Sequence, residues 1–135
     1  MSKNNLQVYI HVVFATKNRN SYINANVERI LYPFMWKTIL EHGSVPIMIN
    51  GMPDHIHILF KLDSKISLAV LMKFIKGKSS RFLNEHLAFS DGLQWQRGYG
   101  AFSVSPENVD NVAKYIQNQK KHHQQQSIID GYELS

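Results

Sequence analysis

Leu6, Val8, Ile10, Val12 and Phe14 fall at every second position with Gln7, Tyr9 and His11 between them, the period of a strand that lays one face on a core. The polar residues 15–21 then predict a loop. Val27, Ile30, Leu31, Phe34, Met35 and Ile39 follow helical spacing up to a stop at Gly43. Pro33 lies inside that stretch and predicts a kink, or a helix that begins near it, because proline removes a hydrogen bond and clashes with the preceding turn. Residues 45–49 and 55–62 read as two strands of a hairpin, joined through the turn residues Asn50, Gly51, Met52, Pro53 and Asp54. Leu68, Leu71, Met72, Ile75 and Phe82 form the apolar stripe of a second helix, with Lys73, Lys76, Ser80 and Arg81 on the opposite arc. A strand region is predicted over 93–104. Ser105 and Pro106 then read as a cap and a first helical residue, and Val109, Val112, Ala113 and Ile116 as the buried stripe of a last helix. The polar tail from His122 is expected to fray.

The order β-α-β-β-α-β-α predicts an α+β fold: a ferredoxin-like, RRM-like antiparallel sheet with helices on one face and one additional C-terminal helix. At 135 residues the chain is expected to be one domain over 1–135. It contains no cysteine, which excludes disulfides, Cys-ligated zinc, iron-sulfur clusters and thiol catalysis and leaves any metal to His, carboxylate or amide ligands. Neither a signal peptide nor an apolar run of membrane-spanning length is visible, so a cytoplasmic protein with no membrane partner is expected. A net charge of +5 favours polyanionic partners without naming one.

His55 and His57 flank Ile56 within a predicted strand, so both imidazoles project from one face, with α carbons about 6.6 Å apart. That spacing lets both reach one metal ion, and it also suits a surface or hydrogen-bonded pair. Ile56, with Ile58, Phe60 and Leu62, points to the core. Tyr115 and Gln119, four residues apart on the last helix, share a face offset from its buried stripe, so Tyr115 is not an obvious core residue. Taken singly, they read equally well as a packing tyrosine and a solvated glutamine.

Taken together, His55-Ile56-His57 and Tyr115-Ile116-Gln117-Asn118-Gln119 resemble the signature of the single-tyrosine HUH transposases of IS200-like insertion sequences. His11-Val12-Val13-Phe14, Pro53-Asp54-His55, Lys76-Gly77-Lys78-Ser79-Ser80 and Trp95-Gln96-Arg97-Gly98-Tyr99 resemble that family in the same order, so the resemblance covers nearly the whole chain. It implies a transposase that cleaves and rejoins single-stranded DNA at hairpin-bearing element ends, with Tyr115 as nucleophile, a 5′-phosphotyrosine intermediate, and His55, His57 and Gln119 holding a divalent metal. Magnesium or manganese suits that ligand set, and two histidines also suit zinc. The resemblance further implies a homodimer, in which the tyrosine helix of one copy can act in trans.

Lys73, Lys76, Lys78 and Arg81 on the second helix are candidate DNA phosphate contacts, with Ser79 and Ser80 as neutral donors, and Trp95, Arg97 and Tyr99 are candidate base-stacking or backbone contacts. The helix positions also fit a solvated face, and the strand positions also fit sheet packing. His122 and His123 read as phosphate or solvent contacts, while His11, His42 and His86 carry no site argument. A non-catalytic RNA-binding module is the alternative from another class, since Arg97-Gly98-Tyr99-Gly100 matches half of an RNA-binding signature. Nearer alternatives are a rolling-circle initiator, a relaxase and a domesticated transposase associated with repeated palindromes. The chain length favours a stand-alone transposase over the first two.

Overall fold

In the computed structural model, residues 4–87 and 92–124 are described, with side chains through residue 121. The elements are β1 (Tyr9–Ala15), α1 (Ala25–Glu41), β2 (Val45–Met52), β3 (His55–Lys61), α2 (Leu68–His86), β4 (Gly100–Val104), α3 (Val109–Gln117) and α4 (Gln119–Gln124), with short 3-10 turns at Lys17–Arg19 and Pro106–Asn108. The strands form one sheet in the order β2-β3-β1-β4, with every neighbouring pair antiparallel. This is the ferredoxin-like arrangement the element order predicts. No helix among the described residues is long and apolar enough to cross a membrane.

Both faces of the sheet are covered, and that decides where the chemistry can sit. On one face Val12, Phe14, Ile56, Ile58 and Phe60 pack with Leu31, Met35 and Ile39 of α1 and Leu71, Met72 and Ile75 of α2. On the other, Leu59 and Val104 pack with Val112, Tyr115 and Ile116 of α3. Alternation along β3 therefore sends Ile56, Ile58 and Phe60 into the first core and its odd-numbered residues toward α3, so six consecutive residues of that strand are buried.

Several boundaries differ from the sequence pattern. β1 begins at Tyr9; Leu6 and Val8 are each 45% exposed, because the alternation continues past the end of strand pairing. Pro33 neither starts nor ends α1, which runs unbroken from the cap at Asn24, whose side chain accepts a 2.9 Å bond from the Val27 amide. The predicted strand over 93–104 shrinks to Gly100–Val104, preceded by an irregular loop that touches the sheet at a single Thr16–Trp95 bridge. Gly98 explains part of this, since its φ of +81° takes the chain out of extended conformation. The last helix divides at Asn118 into α3 and α4. Its backbone is helical through Gln124, and the rest of the tail expected to fray lies outside the described residues.

The hairpin turn between β2 and β3 is tight, with Met52 opposite His55 and only Pro53 and Asp54 between them. Gly51 stands where a β carbon would run into the backbone carbonyl of His55. Backbone cannot yield as a side-chain tip can, so Gly51→Ala should destabilise the protein by about 1–3 kcal/mol in urea denaturation and disturb the strand that carries His55 and His57.

Candidate active site

His55 and His57 both point to the α3 side of the sheet, 2% and 0% exposed, with ring centroids 5.1 Å apart. Tyr115 reaches down from α3, its ring 5.8 Å from that of His57 and nearly perpendicular to it. Contrary to its reading as an offset position, Tyr115 is only 8% exposed and belongs to the second core with Val112 and Ile116. Gln119 is fully buried although it is the first residue of α4, beyond the break at Asn118. Its Nε2 lies 3.4 Å from the Tyr115 carbonyl, while its Oε1 has no hydrogen-bond partner among the described residues. A buried amide oxygen in that state costs free energy unless something else supplies the missing contact.

Each histidine is held through Nδ1. The Asp54 carboxylate lies 2.8 Å from Nδ1 of His55, and Arg19 donates to its other oxygen at 3.1 Å. Burial alone would push the Asp54 carboxyl up, but the hydrogen bonds from His55 and Arg19 outweigh it and hold the group below its ordinary value. On the neighbouring strand, His11 is fully buried and its Nε2 lies 2.9 Å from Nδ1 of His57, with the two rings stacked at 5.1 Å. Sequence reasoning passed over His11. Its one signal was an imidazole inside a strongly apolar strand, and only the strand register, which sets His11 across from Leu59, brings it within reach of His57.

The helix junction is fastened from outside. Lys120 donates to Glu28 Oε2 at 2.7 Å, Asn50 Oδ1 at 3.0 Å and the Gly51 carbonyl at 3.1 Å, and Asn50 donates to the Gln117 carbonyl at 2.9 Å. Neither Lys120 nor Asn50 stood out in the sequence, because both act through long-range contacts.

These donors fit a divalent metal. Among the described residues no three His, Asp or Glu side chains gather in a metal-binding group, so an ion here would draw on the His55 and His57 imidazoles and the Gln119 amide oxygen. With each Nδ1 engaged, the ligating nitrogen of each ring would be Nε2, the usual arrangement in which an outer partner fixes the ring.

The expected DNA contacts are dispersed. Lys73 and Arg81 are exposed on α2, which packs on the far face of the sheet. Lys78 lies over the Phe74 ring at 5.3 Å and 3.3 Å from His42 Nε2. Lys76 turns away from the solvated arc: its amine donates to the carbonyls of Gln96 and Gly98 at 2.7 and 2.8 Å, and burial lowers its pKa. Ser79 and Ser80 donate to helix carbonyls, and Ser79 also accepts from the Trp95 indole at 3.0 Å. Trp95 packs edge-on to Phe14, so it does not share an open strand face with Arg97 and Tyr99; those two sit on the irregular loop, Arg97 exposed and Tyr99 half-buried. The side chains of His122 and His123 lie outside the described residues.

Comparison with known proteins follows the same outline. The family described as Transposase IS200 like matches residues 4–119. The chain is 30% identical over 115 residues to the transposase for insertion sequence element IS200 of Salmonella typhimurium, covering 81% of this chain and 74% of that protein. It is 24% identical over 120 residues to the ISDra2 transposase TnpA of Deinococcus radiodurans, covering 84% of each. Among solved structures, a transposase from Deinococcus radiodurans superposes with a TM-score of 0.71 at 23% identity, over 88% of this chain and 95% of that one. A REP-associated tyrosine transposase bound to a REP hairpin superposes at 0.67 with 13% identity, over 95% of this chain and 76% of that one.

His11→Phe tests the support under His57, because it keeps a ring in the cavity and removes the nitrogen. It should cost about 1–3 kcal/mol in denaturation, from the buried 2.9 Å contact to His57 Nδ1 that it removes. Manganese affinity, read by electron paramagnetic resonance, should fall by roughly 10- to 100-fold.

Proposed function

Because this chain belongs to the IS200-like transposase family, whose members are enzymes of DNA cleavage and strand transfer, we propose that it cuts and rejoins single-stranded DNA at hairpin-bearing element ends through Tyr115. The observation that supports the reading is the Tyr115 ring packed on His57 beside His55, with the buried Gln119 amide oxygen lacking a hydrogen-bond partner among the described residues. The hairpin carried by the REP-associated relative supports the substrate.

The chemistry is a transesterification. The Tyr115 hydroxyl oxygen attacks phosphorus and loses its proton; the phosphorus–O3′ bond breaks, and the leaving oxygen departs as a 3′-hydroxyl. The DNA 5′ end is left on the tyrosine, and because one phosphodiester has replaced another, attack by a 3′-hydroxyl reverses the step without an external energy source. A bound magnesium or manganese ion would supply Lewis-acid polarisation of a non-bridging phosphate oxygen. His55, His57 and Gln119 would hold it, with Asp54 and His11 fixing the two rings. Packing of Tyr115 against His57 limits the motion of the phenol, the positional contribution that a reaction between two held groups needs.

In the homodimer reading, the tyrosine helix would have to exchange between copies, since within one chain Tyr115 already lies against His57. Identity of 30% to the IS200 transposase over 81% of this chain supports an insertion-sequence transposase. The RNA-binding alternative loses its support, because Arg97, Gly98 and Tyr99 precede β4 and do not lie on a strand.

Wild type incubated with 5′- and 3′-labelled single-stranded hairpin DNA and magnesium or manganese should give a protein adduct on the 3′ fragment in denaturing gels. Tyr115→Phe should form none while keeping hairpin affinity within about twofold, because it removes the nucleophilic oxygen and leaves the ring in place. His57→Ala should lower cleavage by 10²-fold or more, on the order expected for loss of metal polarisation; normal cleavage at limiting metal would refute the ligand assignment.

A further inference from the structure

The α3–α4 pair covers the His55–His57 side of the sheet over β2 and β3, while the end of β1 is left open as a cleft of about 620 Å3. Ala15, Asn18, Arg19, His55, Arg97 and Tyr99 line it. His55 thus belongs both to the candidate active site and to the wall of this cleft. The volume is that of a small-molecule site, with room for a nucleotide and not for a duplex.

Two arginines enter the cleft from opposite rims, each set by left-handed backbone. On one rim Asn18 and Arg19 have φ of 58° and 54°, a conformation that costs a non-glycine residue and persists only where surroundings enforce it. Arg19 is enforced twice: its amide donates to the Thr16 carbonyl at 2.9 Å, and its guanidinium donates to Asp54. On the other rim Arg97 sits between Gln96 and Gly98, and Lys76 grips the carbonyls on either side of it. Gly98, with φ of +81°, makes the turn. The rims are tied together by the Asn18 amide donating to Gln96 Oε1 at 3.3 Å and the Gln96 amide donating to the Ala15 carbonyl at 2.7 Å. Strain at one rim and a half-buried lysine spent on two carbonyls at the other are costs that hold two guanidiniums over one cleft.

We infer that this cleft seats the unpaired deoxynucleotide next to the phosphate that reacts at His55, with Arg97 and Arg19 on its backbone and Tyr99 against its base. Guanidinium forks match phosphate, and a flat aromatic wall takes any base. Lys76 acts here as a positioning residue for Arg97 and makes no contact with DNA itself. The inference rests on the transposase reading for the location of the reacting phosphate, and on the two rims for everything else.

The test uses fluorescein-labelled single-stranded dT12, the same strand carrying 5-iododeoxyuridine, and a blunt hairpin duplex. Arg97→Ala and Tyr99→Leu, the second keeping the half-buried bulk, should each weaken dT12 binding by about tenfold in anisotropy titrations. Arg97→Ala should also make the salt slope shallower by roughly 0.7. Neither should change hairpin affinity or manganese binding, and photo-cross-links should fall at residues 96–99. Unchanged dT12 affinity in both variants, equal loss on the duplex, or cross-links confined to α2 would overturn the inference. Failure of the two readings is separable: wild type that binds dT12 through the cleft but forms no Tyr115 adduct defeats the transposase reading alone. Adduct formation with undiminished dT12 binding in both variants defeats the cleft alone.

Discussion

Burial of polar atoms on β3 is the constraint on which the site depends. A sheet covered on one face would leave the odd-numbered residues of β3 in water, and two histidines there would need no explanation. Here α3 closes over them, so His55, His57 and Gln119 sit in a dry layer where a polar atom without a contact is costly. Much of the surrounding structure meets that cost: Asp54 on one ring, His11 on the other, and the Tyr115 carbonyl on the Gln119 amide. The Gln119 oxygen is left over, and a divalent cation is the partner that would use it together with two imidazoles.

The two rings are supported unequally. Nδ1 of His55 faces a carboxylate that Arg19 also holds, whereas Nδ1 of His57 faces the imidazole of His11. A carboxylate partner raises the basicity of the ring it holds more than an imidazole does. The difference also points outward, because Arg19, which holds Asp54, lines the cleft, while His11 and Tyr115 lie ring against ring away from it. Contacts that position the ligands and contacts that would meet the strand thus share residues on one side only.

Local periodicity was enough to predict the element order, the hairpin and the apolar stripes of the helices, because those depend on residues a few positions apart, but not the second core under α3. The grouping of His55, His57, Tyr115 and Gln119 came from resemblance to a family, since nothing in the spacing required the last helix to lie over β3. What escaped was everything set by register or by a loop. His11 meets His57 across two strands, Lys120 meets Glu28 across 92 positions, and the 94–99 segment leaves the sheet despite an alternating pattern. In that segment alternation was produced by an aromatic turned into the core at Trp95 and a guanidinium held outward at Arg97, two different jobs with one spacing.

Positive charge needs the same separation. A net +5 and a lysine-rich second helix suggest a DNA-binding face, yet the charges divide by what they touch. Lys76 and Lys120 are spent on carbonyls and a carboxylate of the fold itself, and Lys78 lies on an aromatic ring. Lys73 and Arg81 remain in solvent but on the layer behind the sheet. Arg97 is the candidate that is both exposed and in the cleft lined by His55, so a lysine count overstates the electrostatic surface available at the site. Binding strength drawn from the whole surface would be salt-sensitive and indifferent to where the strand is cut. In the proposed reaction, placement of the scissile phosphate would come from the few groups fixed around His55.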